Sequence, residues 1–433
     1  MILTGTAPPS SRARLLSIIG GSAGNLVEWY DWYVYAAFAL YFAPAFFPKE
    51  DATAQLLSIG AIFAIGFLMR PIGAWMMGIY ADRQGRKAGL TVSILLMSGG
   101  SMLIACTPTY ASIGVGAPLL LVFARLLQGL SVGGEYGASA TYLSEMAGSE
   151  RRGFWSSFQY VTLIMGQLIA LAVLLILQRL LGEAALESWG WRIPFFIGGV
   201  LALVVLVLRR RLLETEHHKR AAQRMDVPKS GLFTLIRHHP GAAALVVALT
   251  SGGTLAFYTY STYMQKYLVN SAGFSRVTAS EIMAGTLFLF MILQPVFGAL
   301  SDRIGRRPLM IFFGLAGLLG TVPLFRALEG TSSPATAFAL VMASLIAVSG
   351  YTSINAVVKA ELFPAHIRAL GVALPYAVAN ALFGGSAEYV ALQLKDWGYE
   401  SAFYWYVSGM IGLSLIAYVA MSETRLSSLI DRD

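Results

Sequence analysis

Glu28 and Asp31 stand three residues apart in an apolar stretch that also carries Trp29 and Tyr30. On a helix that spacing puts both carboxylates on one face. Two like charges so close suit a group that binds and releases protons. Arg70, Arg125, Glu135, Lys359 and Glu388 interrupt other apolar stretches. A guanidinium grips a carboxylate through two parallel hydrogen bonds, so Arg70 and Arg125 are candidates either to pair with Glu28 and Asp31 or to hold an anion. Tyr351, Asn355 and Lys359 recur at i, i+4, i+8 and form one polar stripe, with Lys359 also in reach of Glu361. Asn380 and Glu388 flank Gly384, and Tyr258, Tyr260 and Tyr263 cluster. The candidates for ligand binding are therefore Arg70, Arg125, Tyr258, Tyr351, Asn355, Lys359 and Asn380. Those for proton coupling are Glu28, Asp31, Glu135 and Glu388. The competing reading is a static ion-pair network with packing tyrosines, but five ionisable groups, Glu28, Asp31, Arg70, Arg125 and Glu135, on three stretches exceed what stability needs.

The elements that hold these residues follow from composition. Of 433 residues, 56% are hydrophobic and 12% charged, about half the usual charged share of roughly 25%. So few charges cannot cover a soluble protein of this size, and a disordered chain shows the opposite balance. Mean hydropathy of +0.65 with 44 Gly and 16 Pro fits a polytopic helical membrane protein. A transmembrane barrel would alternate in short segments instead. A span needs about 20 apolar residues. Polar breaks predict twelve, near 17–46, 54–80, 88–106, 115–144, 154–181, 193–208, 241–269, 278–300, 309–328, 335–360, 369–394 and 401–421. Arg12 and Arg14 before an apolar run resemble a signal peptide, yet Glu28 and Asp31 interrupt that run, so the first span is read as uncleaved.

Lys and Arg set the orientation. The side of the two termini collects Arg12, Arg14, Arg83, Arg86, Lys87, Arg151, Arg152, the basic run from Arg209 to Arg237, Arg303, Arg306, Arg307, Arg368, Arg425 and Arg432. The other side has Lys49, Arg179, Arg192, Lys266, Arg276, Arg326 and Lys395. By the positive-inside rule both termini are cytoplasmic. The net charge of +8 is then topological, and no nucleic-acid partner is expected. One cysteine, Cys106, excludes an intramolecular disulfide and a Cys-based metal site. No metal and no cofactor is expected.

The one extended hydrophilic stretch divides the chain into 1–208 and 241–433, with 209–240 as a cytoplasmic linker. Both parts carry one signature. Gly78-Ile-Tyr-Ala-Asp82-Arg83-Gln-Gly85-Arg86-Lys87 follows the second span, and Gly298-Ala-Leu-Ser-Asp302-Arg303-Ile-Gly305-Arg306-Arg307 follows the eighth. Glu145 with Arg151-Arg152-Gly153 after the fourth span answers Glu361 with Arg368 and Gly371 after the tenth. Repeated six-span halves are the architecture of a secondary transporter. Asp82 and Asp302 sit at span ends, where a carboxylate meets a neighbouring helix N-terminus or an Arg across the loop. Gly129, Gly133 and Gly137 line one face of the fourth span, so a neighbouring helix can approach closely.

The doubled loop signature resembles that of the major facilitator superfamily. The first span, together with Gly66-Phe-Leu-Met-Arg70-Pro71, Arg125-Leu-Leu-Gln128-Gly129, Ser131-Val-Gly-Gly-Glu135-Tyr136-Gly137 and Tyr376-Ala-Val-Ala-Asn380, is similar to its metabolite–proton symporter group. The resemblance implies an all-α polytopic fold of twelve helices in two pseudo-symmetric six-helix bundles. It implies import of α-ketoglutarate with protons through a lipid-embedded monomer in the bacterial inner membrane. It further implies a latch in which Asp82, Arg83, Arg86, Asp302, Arg303 and Arg306 hold one face shut, with Glu145–Arg152 and Glu361–Arg368 as adjoining clamps. Citrate, another dicarboxylate, proline or betaine, and shikimate are the alternative cargoes. A sensor on the same fold is the distant one.

No phosphate-binding G-x4-G-K-[ST] loop occurs, which argues against a single-chain ATP-driven pump. H-E-x-x-H does not occur, and G-x-S-x-G occurs only inside predicted apolar spans, at Gly20–Gly24 and Gly129–Gly133, so an enzyme is not expected.

Overall fold

The computed structural model describes residues 11–47, 52–84, 86–210 and 231–432. Among these every regular element is helical. Twelve long helices follow in order: α1 (Ser11–Phe46), α2 (Ala52–Gln84), α3 (Arg86–Cys106), α4 (Gly116–Met146), α5 (Phe158–Ser188), α6 (Ile193–Arg210), α7 (Pro240–Asn270), α8 (Arg276–Ile304), α9 (Arg307–Glu329), α10 (Pro334–Glu361), α11 (Ala365–Asp396) and α12 (Glu400–Ala420). They fall on the twelve predicted spans. Nine stretches among the described residues are long and apolar enough to cross a membrane; α1, α3 and α6 complete the set. Large apolar side chains such as Trp75, Phe123, Phe288 and Trp405 stay exposed on the outside, where lipid is the solvent. Most of the predicted linker, 211–230, lies outside the described residues; its last part forms a short helix, Leu232–His238.

Packing repeats six helices later. In the first bundle α2 lies along α4, α1 along α5, α3 along α4 and α6, and α1 along α6. In the second, α8 lies along α10, α7 along α11, α9 along α10 and α12, and α7 along α12. The bundles meet where α5 packs on α8, and α2 and α4 on α11. Glycine permits the closest approaches. A Cβ at Gly129 or Gly133 would strike the carbonyl oxygens of Gly66 and Arg70 on α2, and one at Gly137 would strike Ala373 of α11. Thus the glycine stripe of α4 seals both a contact within its bundle and one across the interface.

Helices of the second bundle are interrupted near the centre. α7 carries a π-bulge at Thr259–Tyr263 and α11 another at Asn380–Gly384, while α10 breaks between Thr352 and Asn355. Such bulges free backbone groups and concentrate at functional sites.

Candidate functional site

Trp32 of α1 is the centre of the site. The guanidinium carbons of Arg70 and Arg125 lie 4.2 and 4.0 Å from its ring centroid. Arg70 also stacks on Phe67 at 3.9 Å, and Arg125 on Tyr35 at 4.4 Å. Aromatic faces offset part of the cost of burying a guanidinium, each by about 0.5–2 kcal/mol. Neither arginine forms an ion pair with Asp31, so that sequence-based pairing is not present. Instead Nη1 of Arg125 donates to Gln128 at 2.7 Å, and Gln128 donates to Ser101 at 2.9 Å. The Nε and Nη2 atoms of both arginines are buried without a hydrogen-bond partner. These two nitrogens form the edge through which guanidinium binds carboxylate in bidentate fashion. On Arg125 that edge faces Gly66, where a Cβ would stand 3.5 Å from both atoms.

Asp31 is fully buried, and neither carboxylate oxygen has a hydrogen-bond partner. Its carboxylate lies against Gly198 of α6, where an added Cβ would have to push it aside. Glu28, one turn earlier, accepts from Ser93 of α3 and Ser131 of α4 at 3.1 and 3.3 Å. The two acids of one helix face thus meet different surroundings, one lined with hydroxyls and one bare. The side chain of Glu135 lies outside the described residues.

The second bundle contributes Lys359, Asn355, Tyr258 and Asn380. Lys359 is buried, 1% exposed, and donates to the hydroxyl of Tyr136 on α4 at 3.2 Å. Tyr136 in turn donates to Asn355 at 3.1 Å and stacks on Tyr376 at 3.8 Å. Lys359 neither reaches water nor pairs with Glu361, because its ammonium turns inward onto the ring of Tyr376 at 3.9 Å. Tyr258 meets Phe67 of α2 edge-on at 5.1 Å. Asn380 accepts from Thr254 while its amide nitrogen has no partner. Tyr351 packs on Phe313 with its hydroxyl unpartnered. Tyr260 and Tyr263 turn away, towards Thr321 and Phe403. Glu388 forms a buried ion pair with Lys266 at 2.6 Å. Lys266, counted from the sequence on the face opposite the termini, is therefore buried inside α7 against Glu388.

On the face that carries the repeated signature, ionic contacts join the bundles. Asp302 accepts from the backbone N–H groups of Gly153 and Phe154 at 2.8 and 2.9 Å and from Arg306 at 2.8 Å. This is the expected capping of a helix N-terminus, supplied from the other bundle. The clamps are crossed relative to expectation. Arg368 pairs with Glu145 at 2.6 Å, and Glu361 lies with Arg306 at 3.5 Å and Arg152 at 4.0 Å. Pseudo-symmetric loops face each other, so each acid meets the basic residue of the opposite loop. Arg152 also holds Asp431 of the C-terminal segment through two bonds, at 3.0 and 2.7 Å. Those bonds draw the Asp431 carboxyl below its ordinary pKa. Arg303 is exposed, its carbonyl accepting from Arg425. The side chains of Asp82, Arg83 and Arg86 lie outside the described residues.

The opposite face is closed by α5 and α8 and by α2 and α11. Arg179 pairs with Glu281 at 3.4 Å, Arg276 with Glu187, and a Cβ at Gly385 would collide with Phe67. The site is shut at both ends. An enclosed cavity between Tyr33, Gln167, Ser261 and Gln265 measures about 10 Å³, room for one water. Sequence reasoning missed Trp32, Gln128, Tyr136, Tyr376, Lys266 and Asp431; for Trp32 the signal is its place one turn beyond Glu28.

The Major Facilitator Superfamily model matches residues 21–387 and 265–425. The chain is 56% identical to the alpha-ketoglutarate permease of Escherichia coli over 400 residues, covering 92% of each. It is 35% identical to a citrate-proton symporter of Salmonella typhi, covering 97% of this chain and 96% of that one. Among solved structures, a D-xylose-proton symporter superposes with a TM-score of 0.77 at 20% identity, covering 95% of this chain and 98% of that one. The xylose transporter of E. coli in a partially occluded, inward-open conformation gives 0.75 at 20% identity, covering 92% and 95%.

Proposed function

The chain belongs to the Major Facilitator Superfamily, and on that premise we propose that it imports α-ketoglutarate together with protons by alternating access. The observation that carries this reading is the pair of buried guanidiniums on Trp32, each with its Nε–Nη2 edge unpartnered. A buried charge left without a partner costs several kcal/mol, so an anionic ligand is the natural complement. Identity to the permease supports α-ketoglutarate as that anion. Moving a dianion inwards against an inside-negative potential costs about 4.6 kcal/mol per 100 mV, and co-transported protons offset it. Asp31, buried near Arg125 with no geometric hydrogen bond to its carboxylate, is the principal proton site, with Glu28, Glu135 and Glu388 as further candidates. The face of the repeated signature is cytoplasmic in this reading, as are both termini. The chain acts as a monomer in the bacterial inner membrane, with domains at 1–208 and 241–433.

The chemistry is transport, not bond-making. Substrate enters when the face opposite the signature opens, displaces the cost of two unpaired cations, and leaves when the latch parts. Asp302, Arg306, Glu361, Arg152, Glu145 and Arg368 act in gating, with Asp82, Arg83, Arg86 and Arg303 on the same face. Uptake of labelled α-ketoglutarate into proteoliposomes, with and without an imposed pH gradient, tests the reading. Accumulation that survives a protonophore would remove proton coupling. Citrate competing far better than α-ketoglutarate would reassign the cargo.

A further inference from the structure

Among the described residues, three buried cations of the central region have no carboxylate within salt-bridge distance: Arg70 and Arg125 in the first bundle and Lys359 in the second. The first two share Trp32. Lys359 is set apart on α10, and among the described residues its polar contact is the hydroxyl of Tyr136. Lys359 sits 3.9 Å from the ring of Tyr376, while Arg70 stacks on Phe67, which meets Tyr258 of the second bundle. A lysine at this depth is expensive unless it has a partner or a task. Its packing role is small, because Tyr136 keeps a second bond to Asn355 and a full stacking contact without it.

We propose that Lys359 is a specificity-determining residue, binding the second carboxylate of the substrate while the arginines at Trp32 bind the first. The ligand then bridges the two bundles, one carboxylate to each. A monocarboxylate can satisfy only the first bundle and leaves Lys359 as it is in the empty protein. A dicarboxylate replaces the hydroxyl of Tyr136 at the ammonium with a full charge. This is the stronger, charge-assisted contact, and Tyr136 keeps its bond to Asn355 and its stacking on Tyr376. Discrimination between the two ligand classes would thus reside in α10, not at the arginines.

The inference rests on the proposed cargo, and the experiment separates the two. Binding of 2-oxoglutarate and of 2-oxopentanoate, which has a methyl in place of the distal carboxylate, is measured on the full-length purified protein. The wild type, Lys359→Gln and Lys359→Arg are compared. Wild type is expected to prefer 2-oxoglutarate, and Lys359→Gln to lose at least tenfold in its affinity while 2-oxopentanoate changes less than threefold. Lys359→Arg, which keeps the charge, should retain most of the preference. Retained binding of 2-oxopentanoate also reports that the variants are folded. Equal losses for both ligands, or no loss for either, would overturn the assignment of Lys359 and leave the cargo standing. A wild type that binds no 2-oxoglutarate would overturn the cargo, and with it this inference.

Discussion

Replacing Asp302 by Asn should open the signature face without touching the site. Two backbone N–H groups of the first bundle, Gly153 and Phe154, donate to this one carboxylate of the second at 2.8 and 2.9 Å. Hydrogen bonds to a charged group contribute about 1.5–3 kcal/mol each, and neutral ones about 0.5–1.5. An amide can accept one of the two and presents its NH2 to the other donor. The closed state therefore loses about 2–4 kcal/mol, and both bonds are absent once the bundles part, so the loss falls on the closed state alone. At about 1.4 kcal/mol per decade, the open fraction rises by roughly 30-fold or more until it saturates. The assay uses Ser157→Cys in a Cys106→Ser background. Ser157 is buried and packs against Gly298 across the interface, so alkylation of a thiol there counts openings. Asp302→Asn should speed alkylation at least tenfold while 2-oxoglutarate affinity stays within a few-fold. An unchanged labelling rate accompanied by lost binding would refute the reasoning and move Asp302 into the ligand site.

Asp31→Asn mimics a permanently protonated carrier, so it should bind and exchange 2-oxoglutarate yet fail to accumulate it under a pH gradient; loss of binding itself would make Asp31 a ligand. Arg125→Lys keeps the charge but loses the planar fork, and its affinity should fall at least tenfold. Lys266→Met leaves Glu388 buried and unpaired, costing about 3–5 kcal/mol, whereas Lys266→Met/Glu388→Leu should melt near the wild type; a single variant with an unchanged melting temperature would show that the pair contributes nothing. Asp431 is held below the ordinary carboxylate pKa by Arg152, so its contact is complete above that range and is lost only as pH falls through the lowered value. Labelling at Ser157→Cys should then be flat between pH 6 and 8, and an increase on going from 8 to 6 would exclude Asp431 as the governing contact.

The two closed faces are built differently, and the difference bears on direction. Contacts that cross the bundles at the signature face each engage a buried charge: Asp302 on Gly153 and Phe154, Arg368 on Glu145, and Arg152 on Glu361 at 4.0 Å. Those at the opposite face include Arg179–Glu281, with side chains 76% and 50% exposed, a pair that contributes about 0–1 kcal/mol. Beside it are Arg276–Glu187, with side chains 26% and 41% exposed, and the close packing of Gly385 on the ring of Phe67. Packing of that kind separates without leaving a charge buried alone, whereas parting the signature face strands several. The empty protein is thereby biased to open away from the signature; with the signature face cytoplasmic, as proposed, that is the side from which an importer loads.

How much of this the sequence made legible depends on the range over which each feature is determined. Spans, the glycine stripe and the capping role of Asp302 follow from local pattern, since hydropathy, small-residue spacing and a carboxylate at a helix end act over one or two turns. The clamps do not. Glu145 has a plausible basic partner seven residues away at Arg152 and another at Arg368, 223 residues away, and the repeat makes the two look equivalent. Only the facing of one loop by its pseudo-symmetric copy selects the distant partner. Lys266 fails for a related reason. Near a span end an ammonium normally reaches water, and its buried partner, Glu388, is 122 residues distant. Trp32 was hidden differently: indole in an apolar helix is what packing alone predicts, and its role appears only when arginines from α2 and α4 converge on one ring. Charges on separate helices can be found singly in the sequence, but which of them remain unpaired, as Arg70, Arg125 and Asp31 do, is a property of the assembled interface. Those unpaired groups are the ones that a charged ligand and a proton can complete.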